Sequence, residues 1–160
     1  MIEFYSNTLP LVEVALASKT GTIPHGASVT KVLLVEDQED QRRLVEDLLF
    51  HAGFEVRSLS EGRFVLRHLE EEMVDLVLTD LLMPEMDGLE VVQTLQMNHP
   101  SLLVMVMTGH PDPTLTQAAM RFGAVGALRR PFTRRELREA LHAALSMPHH
   151  PTPEGGVPSV

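Results

Sequence analysis

Apolar residues in this 160-residue chain are concentrated in five short segments, most of them nearly continuous, and after each segment they recur every three or four positions. A continuous run predicts a strand that is buried on both faces, and the wider spacing predicts a helix with one apolar side. The predicted strands are residues 31–35, 54–59, 75–79, 102–107 and 125–129. The predicted helices are residues 38–52, 88–97 and 113–122, with one more after Gly62 and another after Thr133.

Local signals support the ends of several helices. Gly53 and Gly123 stop the helices that precede them, because glycine accepts the backbone conformation that closes a helix. Pro113 suits a first helical position, where its missing N–H costs nothing. Thr133 and Glu136 have the spacing of a capping box, so the last helix is predicted to begin after Thr133.

The alternation of buried strands with helices predicts an α/β fold, in which a parallel sheet lies between two layers of helices. Right-handed crossovers restrict the topology, and the usual five-stranded solution has the flavodoxin-like strand order 2-1-3-4-5. We therefore predict a (βα)5 three-layer sandwich over residues 31–147. Residues 1–30 are predicted to be an N-terminal extension or linker, and residues 148–160 a disordered, proline-rich tail.

The composition narrows the class of protein. Hydrophobic residues make up 44% of the chain and charged residues 22%, as in ordinary globular domains. No apolar run is long enough to cross a bilayer, and cysteine is absent, so we expect a cytoplasmic protein without disulfides. The formal net charge of −9 argues against direct binding of nucleic acid. We interpret the eight scattered histidines as surface residues, and the arginine cluster as an exposed helix face plus one site arginine: Arg129, Arg130, Arg134, Arg135 and Arg138.

Acidic, hydroxyl and basic residues stand at the carboxyl ends of the predicted strands. Glu36 and Asp37 follow the first strand, Asp80 the third, Thr108 the fourth and Arg130 the fifth. Because the carboxyl ends of parallel strands meet at one edge of a sheet, we expect these side chains to lie together. Three neighbouring carboxylates repel one another, and Mg²⁺, which prefers oxygen ligands, removes that conflict. One carboxylate could then attack a phosphoryl group, whose oxygens the threonine and the arginine could hold.

Five short motifs follow one another at characteristic distances: Glu36-Asp37, Asp80-Leu81-Leu82-Met83-Pro84-Glu85-Met86-Asp87-Gly88, Met107-Thr108-Gly109, Gly123-Ala124 and Arg130-Pro131-Phe132. An acidic pair alone is a weak signal. The aspartate followed by Met-Pro and Asp-Gly, with the other strand ends in register, is a specific one. In this order and spacing, the chain resembles the receiver domains of two-component response regulators.

The resemblance implies a role for each site residue. Asp80 would accept the phosphoryl group, and Thr108 would be the switch hydroxyl that moves toward it. Mg²⁺ would be held by Glu36, Asp37, Asp80 and the backbone carbonyl of Leu82. The bond before Pro131 would be a cis peptide bond.

The resemblance also implies partners for the domain. The phosphoryl donor would be a histidine kinase or a histidine phosphotransferase. A homodimer or a downstream effector would use the face formed by the fourth helix, the fifth strand and the fifth helix. Direct contact with nucleic acid or with a membrane is not expected.

Two positions depart from the family's pattern. The family has a lysine directly before the Pro-Phe pair, whereas this chain has Arg130, whose planar fork differs from a compact ammonium group. Lys31 begins the first strand at the opposite edge, so it does not substitute. We expect metal binding and phosphoryl transfer to persist while the signal propagates more weakly or differently. The family also has an aromatic residue three positions earlier, where this chain has Ala127: either another residue provides the coupling, or the domain does not switch by the aromatic route.

Three classes of function remain open from the sequence. The leading hypothesis is a phosphorylatable signalling switch that is not an enzyme. The second is a pseudo-receiver, a protein-interaction module that does not switch by phosphorylation. The third is a metal-dependent phosphatase or hydrolase, which usually needs a second acid two residues after the nucleophile; that position is Leu82. No output domain follows the last predicted helix, so we expect a stand-alone receiver or a fragment of a larger regulator or hybrid kinase.

Overall fold

The computed structural model describes residues 2–3 and 28–147. Five strands form the centre of the fold: β1 (Lys31–Val35), β2 (Glu55–Leu59), β3 (Leu76–Asp80), β4 (Leu103–Thr108) and β5 (Gly126–Arg129). They pair in parallel in the order β2-β1-β3-β4-β5, which confirms the predicted topology. Each bound lies within about one residue of its prediction, and β3 and β4 include Asp80 and Thr108 themselves.

Helices cover both faces of this sheet, as predicted. They are α1 (Glu39–His51), α2 (Val65–Glu71), α3 (Gly88–Asn98), α4 (Pro113–Arg121) and α5 (Arg134–Leu145), and a short 3-10 turn (Gly62–Phe64) precedes α2. The core residues of α1 and α5 pack on one face, and those of α2, α3 and α4 pack on the other. Within the described ranges, no helix is both long enough and apolar enough to cross a membrane.

The two helical layers explain why the central strands are almost wholly apolar, unlike the edge strand β2. In β1, Val32 and Leu34 belong to the core beneath α1 and α5, whereas Leu33 and Val35 belong to the core on the other face. All four side chains are completely buried. A strand covered on both faces needs apolar residues at every position, so its sequence does not alternate.

Side-chain caps begin three of the helices near the carboxyl edge of the sheet. Thr133 accepts the N–H of Glu136, whose carboxylate accepts the N–H of Thr133, which confirms the predicted capping box. Asp87 and Glu90 form a second such box at the start of α3. Asp112 caps α4 by accepting the N–H of Thr114 at 2.9 Å, and Pro113 is the first residue of that helix, also as predicted. These caps fix the helix starts beside the loops that carry the polar strand ends.

A two-residue strand, Ile2–Glu3, lies antiparallel to β5 at the edge of the sheet. Ile2 is opposite Leu128, and Glu3 is opposite Ala127. This sixth strand was not predicted, because two residues are too few to show a period. The rest of the predicted extension, up to residue 27, and the predicted tail at 148–160 lie outside the described residues.

Candidate functional site

Asp80 ends β3 at the carboxyl edge of the sheet, and only 6% of its surface is exposed. Its Oδ1 accepts a hydrogen bond from the N–H of Leu82 at 3.2 Å. Its Oδ2 lies 3.5 Å from Nη1 of Arg130. One oxygen is therefore held by the loop after β3 and the other faces a cation, and both contacts offset the cost of burying a carboxylate at this edge.

The predicted acidic pair follows β1 at the same edge. Glu36 is completely buried, its Oε1 accepts the N–H of Gln38 at 3.0 Å, and its Oε2 accepts a hydrogen bond from Arg130. Burial raises the pKa of the Glu36 carboxyl above its ordinary value, against the opposing effects of the Arg130 and Gln38 hydrogen bonds. Asp37 is half-buried, and its Oδ1 has no hydrogen-bond partner in the part of the chain that the structure describes.

The three carboxylates meet as the sequence predicted. One oxygen each from Glu36, Asp37 and Asp80 lies within 4.8 Å of the other two. In octahedral Mg²⁺ coordination with bonds of about 2.1 Å, neighbouring oxygens are about 3.0 Å apart, so these three oxygens would have to move closer together to bind one ion. The oxygen-only donor set and the unpartnered Asp37 oxygen suit a hard divalent cation. Leu82 stands two residues after Asp80 and contacts it through its N–H, so its backbone also borders the cluster.

Arg130 follows β5 and brings a cation into this cluster. Its backbone N–H donates to the carbonyl oxygen of Thr108 at 2.8 Å. The peptide bond to Pro131 is cis, as the resemblance implied. Its guanidinium contacts both Glu36 and Asp80. The position that the family fills with lysine is thus occupied here by a group that reaches two carboxylates at once.

Thr108 and Arg129 reach the same edge but make different contacts. Thr108 is 4% exposed, and its Oγ1 accepts the N–H of His110 at 3.0 Å within the loop after β4. Arg129 turns toward that loop, where its Nη2 donates to the carbonyl oxygen of Pro111 at 2.7 Å. Of the two adjacent arginines, Arg130 contacts the acidic side chains and Arg129 ties β5 to the β4–α4 loop.

Two further residues shape the site: Arg42, which was not singled out from the sequence, and Gly88, which was named only as part of the motif after Asp80. Arg42, in α1, donates from Nη1 to the carbonyl oxygen of Glu36 at 2.9 Å, which holds the backbone of the acidic pair. Gly88 begins α3 so close to β3 that a Cβ atom there would lie 2.2 Å from the carbonyl oxygen of Asp80. The Asp-Gly motif signals the second role, whereas nothing in the helical pattern distinguishes Arg42 from other polar helix residues.

Comparisons with known proteins agree with this fold and site. The family model of the response regulator receiver domain matches residues 32–142. The response regulator receiver protein CpdR of Brucella abortus is 35% identical over 107 residues, which cover 67% of this chain and 89% of CpdR. The regulatory protein AtoC of Escherichia coli is 28% identical over 120 residues, which cover 75% of this chain but 26% of AtoC.

A solved structure gives the same result. The crystal structure of a response regulator receiver domain protein from Clostridium thermocellum has a TM-score of 0.69 at 30% identity, covering 73% of this chain and 94% of that one. The chain therefore belongs to the receiver domain family of two-component response regulators.

Proposed function

We propose that this domain is a phosphorylatable switch that accepts a phosphoryl group on Asp80 from a phosphohistidine donor with the help of Mg²⁺. The observation that carries the proposal is the meeting of the Glu36, Asp37 and Asp80 oxygens within 4.8 Å beside the Arg130 guanidinium. Placing three acids close together, two of them buried, costs free energy that is justified only where their negative charge has a function. A bound cation and an incoming phosphoryl group would use it.

The reaction transfers a phosphoryl group between two nucleophiles. Oδ1 of Asp80 is held by the N–H of Leu82, so we assign Oδ2 as the attacking oxygen. Its bond to phosphorus forms as the phosphorus–nitrogen bond of the phosphohistidine breaks, and the departing imidazole nitrogen takes up a proton. The product is an acyl phosphate on Asp80.

The other site residues hold charge in place during this transfer. Glu36, Asp37, Asp80 and the backbone carbonyl of Leu82 would bind the ion, a role that is supported by the unpartnered oxygen of Asp37. Mg²⁺, when bound, would neutralise the carboxylates and the phosphoryl oxygens. Arg130 would donate to one phosphoryl oxygen, and the hydroxyl of Thr108 would turn from its own loop toward another.

The donor in this proposal is a histidine kinase or a histidine phosphotransferase, since both carry phosphohistidine. The surface of α4, β5 and α5 would pass the signal to a second copy of the chain or to an effector. A cytoplasmic location, where such donors act, stays a prediction from the composition.

Incubation with acetyl phosphate or phosphoramidate and Mg²⁺, followed by intact mass measurement, tests the proposal. We expect the wild type to gain the mass of one phosphoryl group. Asp80→Asn should gain no mass, and neither should the wild type when EDTA removes the metal. Asp40→Asn is the matched control, because Asp40 is an exposed acid in the first turn of α1. Equal labelling of Asp80→Asn and the wild type would contradict the assignment.

The same experiment separates the alternatives. A pseudo-receiver would gain no mass under any condition. A phosphatase or hydrolase would release inorganic phosphate steadily, without a lasting adduct. We expect a lasting adduct, because the residue two positions after Asp80 is Leu82, which offers no general acid.

A further inference from the structure

Arg130 already occupies the position of a counter-cation among the acids of the site. Its Nη2 donates to Oε2 of Glu36, and its Nη1 lies 3.5 Å from Oδ2 of Asp80. Its Nε has no hydrogen-bond partner in the described part of the chain. Among those residues, the one other side-chain hydrogen bond of the guanidinium is to the sulfur of Met107, at 3.9 Å. The two carboxylates are therefore what holds the side chain in this position.

A divalent cation would need the same oxygens. Both oxygens of Glu36 and both oxygens of Asp80 already face a donor, whereas Oδ1 of Asp37 faces none. The bonds from backbone N–H groups can persist beside a metal, because each carboxylate oxygen has more than one lone pair. The guanidinium is different, because it brings a positive charge that repels a divalent ion at this distance.

We propose that Arg130 competes with the divalent cation for Glu36 and Asp80. In the metal-free protein it neutralises these two buried carboxylates. When the metal takes them, Arg130 is released and becomes available to the phosphoryl oxygens. A planar guanidinium with several donors can span two carboxylates in this way, which a single ammonium point charge does less well.

This inference rests on the proposed metal site and makes a prediction that runs against intuition. Removing the positive charge of Arg130 should strengthen metal binding while it weakens phosphorylation. A residue with a merely structural role would weaken both, and a residue that only contacts the phosphoryl group would leave metal affinity unchanged. The two measurements therefore distinguish competition from the other roles.

The test is a Mg²⁺ titration by isothermal calorimetry of the wild type, Arg130→Gln, Arg130→Lys and Arg134→Gln. Arg134 is an exposed arginine of α5, so its variant removes the same charge away from the acids. We expect Arg130→Gln to bind Mg²⁺ about tenfold more tightly than the wild type. Arg130→Lys should fall between them, and Arg134→Gln should stay within about twofold of the wild type. The rate of labelling by acetyl phosphate should fall in Arg130→Gln.

A second measurement needs only the folded wild type. During the Mg²⁺ titration, the side-chain Nε–H resonance of Arg130, assigned by its absence in Arg130→Lys, should shift at the same concentrations as the amide of Asp37. A stationary Nε–H resonance would overturn the competition, and so would equal or weaker Mg²⁺ binding by Arg130→Gln. If none of the four proteins binds Mg²⁺, the proposed metal site itself fails, which is a distinct result.

Discussion

Arg129 donates a hydrogen bond from Nη2 to the main-chain carbonyl oxygen of Pro111 at 2.7 Å, and so joins the end of β5 to the loop between β4 and α4. Arg129 is also the residue paired with Thr108 across the two strands. Beneath this contact lies a cavity of about 30 Å³, whose lining includes Thr108, Thr116 and Ala127. Ala127, in β5, leaves space where the family has an aromatic ring. Arg129 holds the β4–α4 loop beside that space.

We predict that Arg129→Met loosens the β4–α4 loop, because methionine keeps an apolar stem but donates no hydrogen bond. Amide hydrogen exchange should become faster from His110 to Asp112, and the free energy of unfolding should fall by about 0.5–1.5 kcal/mol. Arg134→Met, on the exposed side of α5, is the control. Unchanged exchange in the loop would mean that the Arg129 contact does not restrain it.

The response to a phosphoryl mimic should reveal how far the signal travels. Ala127 is buried and has no ring that could follow Thr108 inward. We therefore expect beryllofluoride with Mg²⁺ to shift amide resonances near Asp80 and in the β4–α4 loop, and not evenly over α4, β5 and α5. The measurement is a comparison of amide spectra with and without the mimic. Shifts spread evenly over α4, β5 and α5 would show that another residue provides the coupling.

Gly88→Ala should displace the backbone that positions Asp80. The new Cβ would lie 2.2 Å from the carbonyl oxygen of Asp80 and 2.7 Å from Cα of Leu81, and backbone atoms have no rotamer by which to move aside. We expect a loss of about 1–3 kcal/mol in the free energy of unfolding, together with slower labelling of Asp80 by acetyl phosphate. Both are measurable on the purified protein.

Gly109→Ala is the matched control for Gly88→Ala. Gly109 also borders the site, but the nearest atom to its added Cβ would be Cβ of Arg130, at 4.0 Å. We expect its stability to stay close to that of the wild type. Equal losses in the two variants would show that crowding against β3 is not the cause.

At the opposite edge of the sheet, stability should depend on pH through Glu72. The hydrogen bond from Lys31 is the main cause that holds the pKa of Glu72 below its ordinary value of 4.5, and the charge of Arg57 adds to it. A carboxyl whose pKa is lowered by folding stabilises the fold at pH values above its ordinary pKa. That contribution is lost as the pH falls through the lowered pKa.

Glu72→Gln should therefore be less stable than the wild type at pH 7, and the difference should shrink as the pH is lowered below about 4.5 in chemical unfolding experiments. Glu70→Gln removes an exposed acid of α2, two residues before Glu72, and should show no such trend. A difference between wild type and Glu72→Gln that grows on acidification would contradict the assignment. The Lys31 contact also confirms that this lysine lies far from the acidic cluster and does not replace Arg130.

The fold and the acidic cluster could be predicted because each depends on features that are local in the sequence. Apolar runs predict buried strands, and residues at strand ends share an edge once the sheet is parallel, which places Asp37 near Asp80 across residues that are far apart in the chain. The motifs after β3 and β5 then indicated the chemical roles of the residues at these positions.

The rest depends on the directions that side chains take in space. Arg129 and Arg130 are adjacent arginines at the end of one strand, yet one contacts a loop carbonyl and the other two carboxylates. The motif before Pro131 marks Arg130 as the site residue, but no pattern in the chain indicates the contact that Arg129 makes, because alternate side chains of a strand point to opposite faces and only the packed structure decides which partners are there. The strand Ile2–Glu3 was missed for a similar reason, since its partner lies more than a hundred residues away.

That short strand has a practical consequence for work on this protein. An uncovered sheet margin offers unpaired backbone donors and acceptors to neighbouring molecules. A recombinant fragment trimmed to the family-matched residues 32–142 would lack the first amino acids and bare the side of the sheet next to Leu128. Self-association measured on such a fragment would then report on the trimming as well as on the protein, so the residues that form this strand belong in every sample used to study dimers.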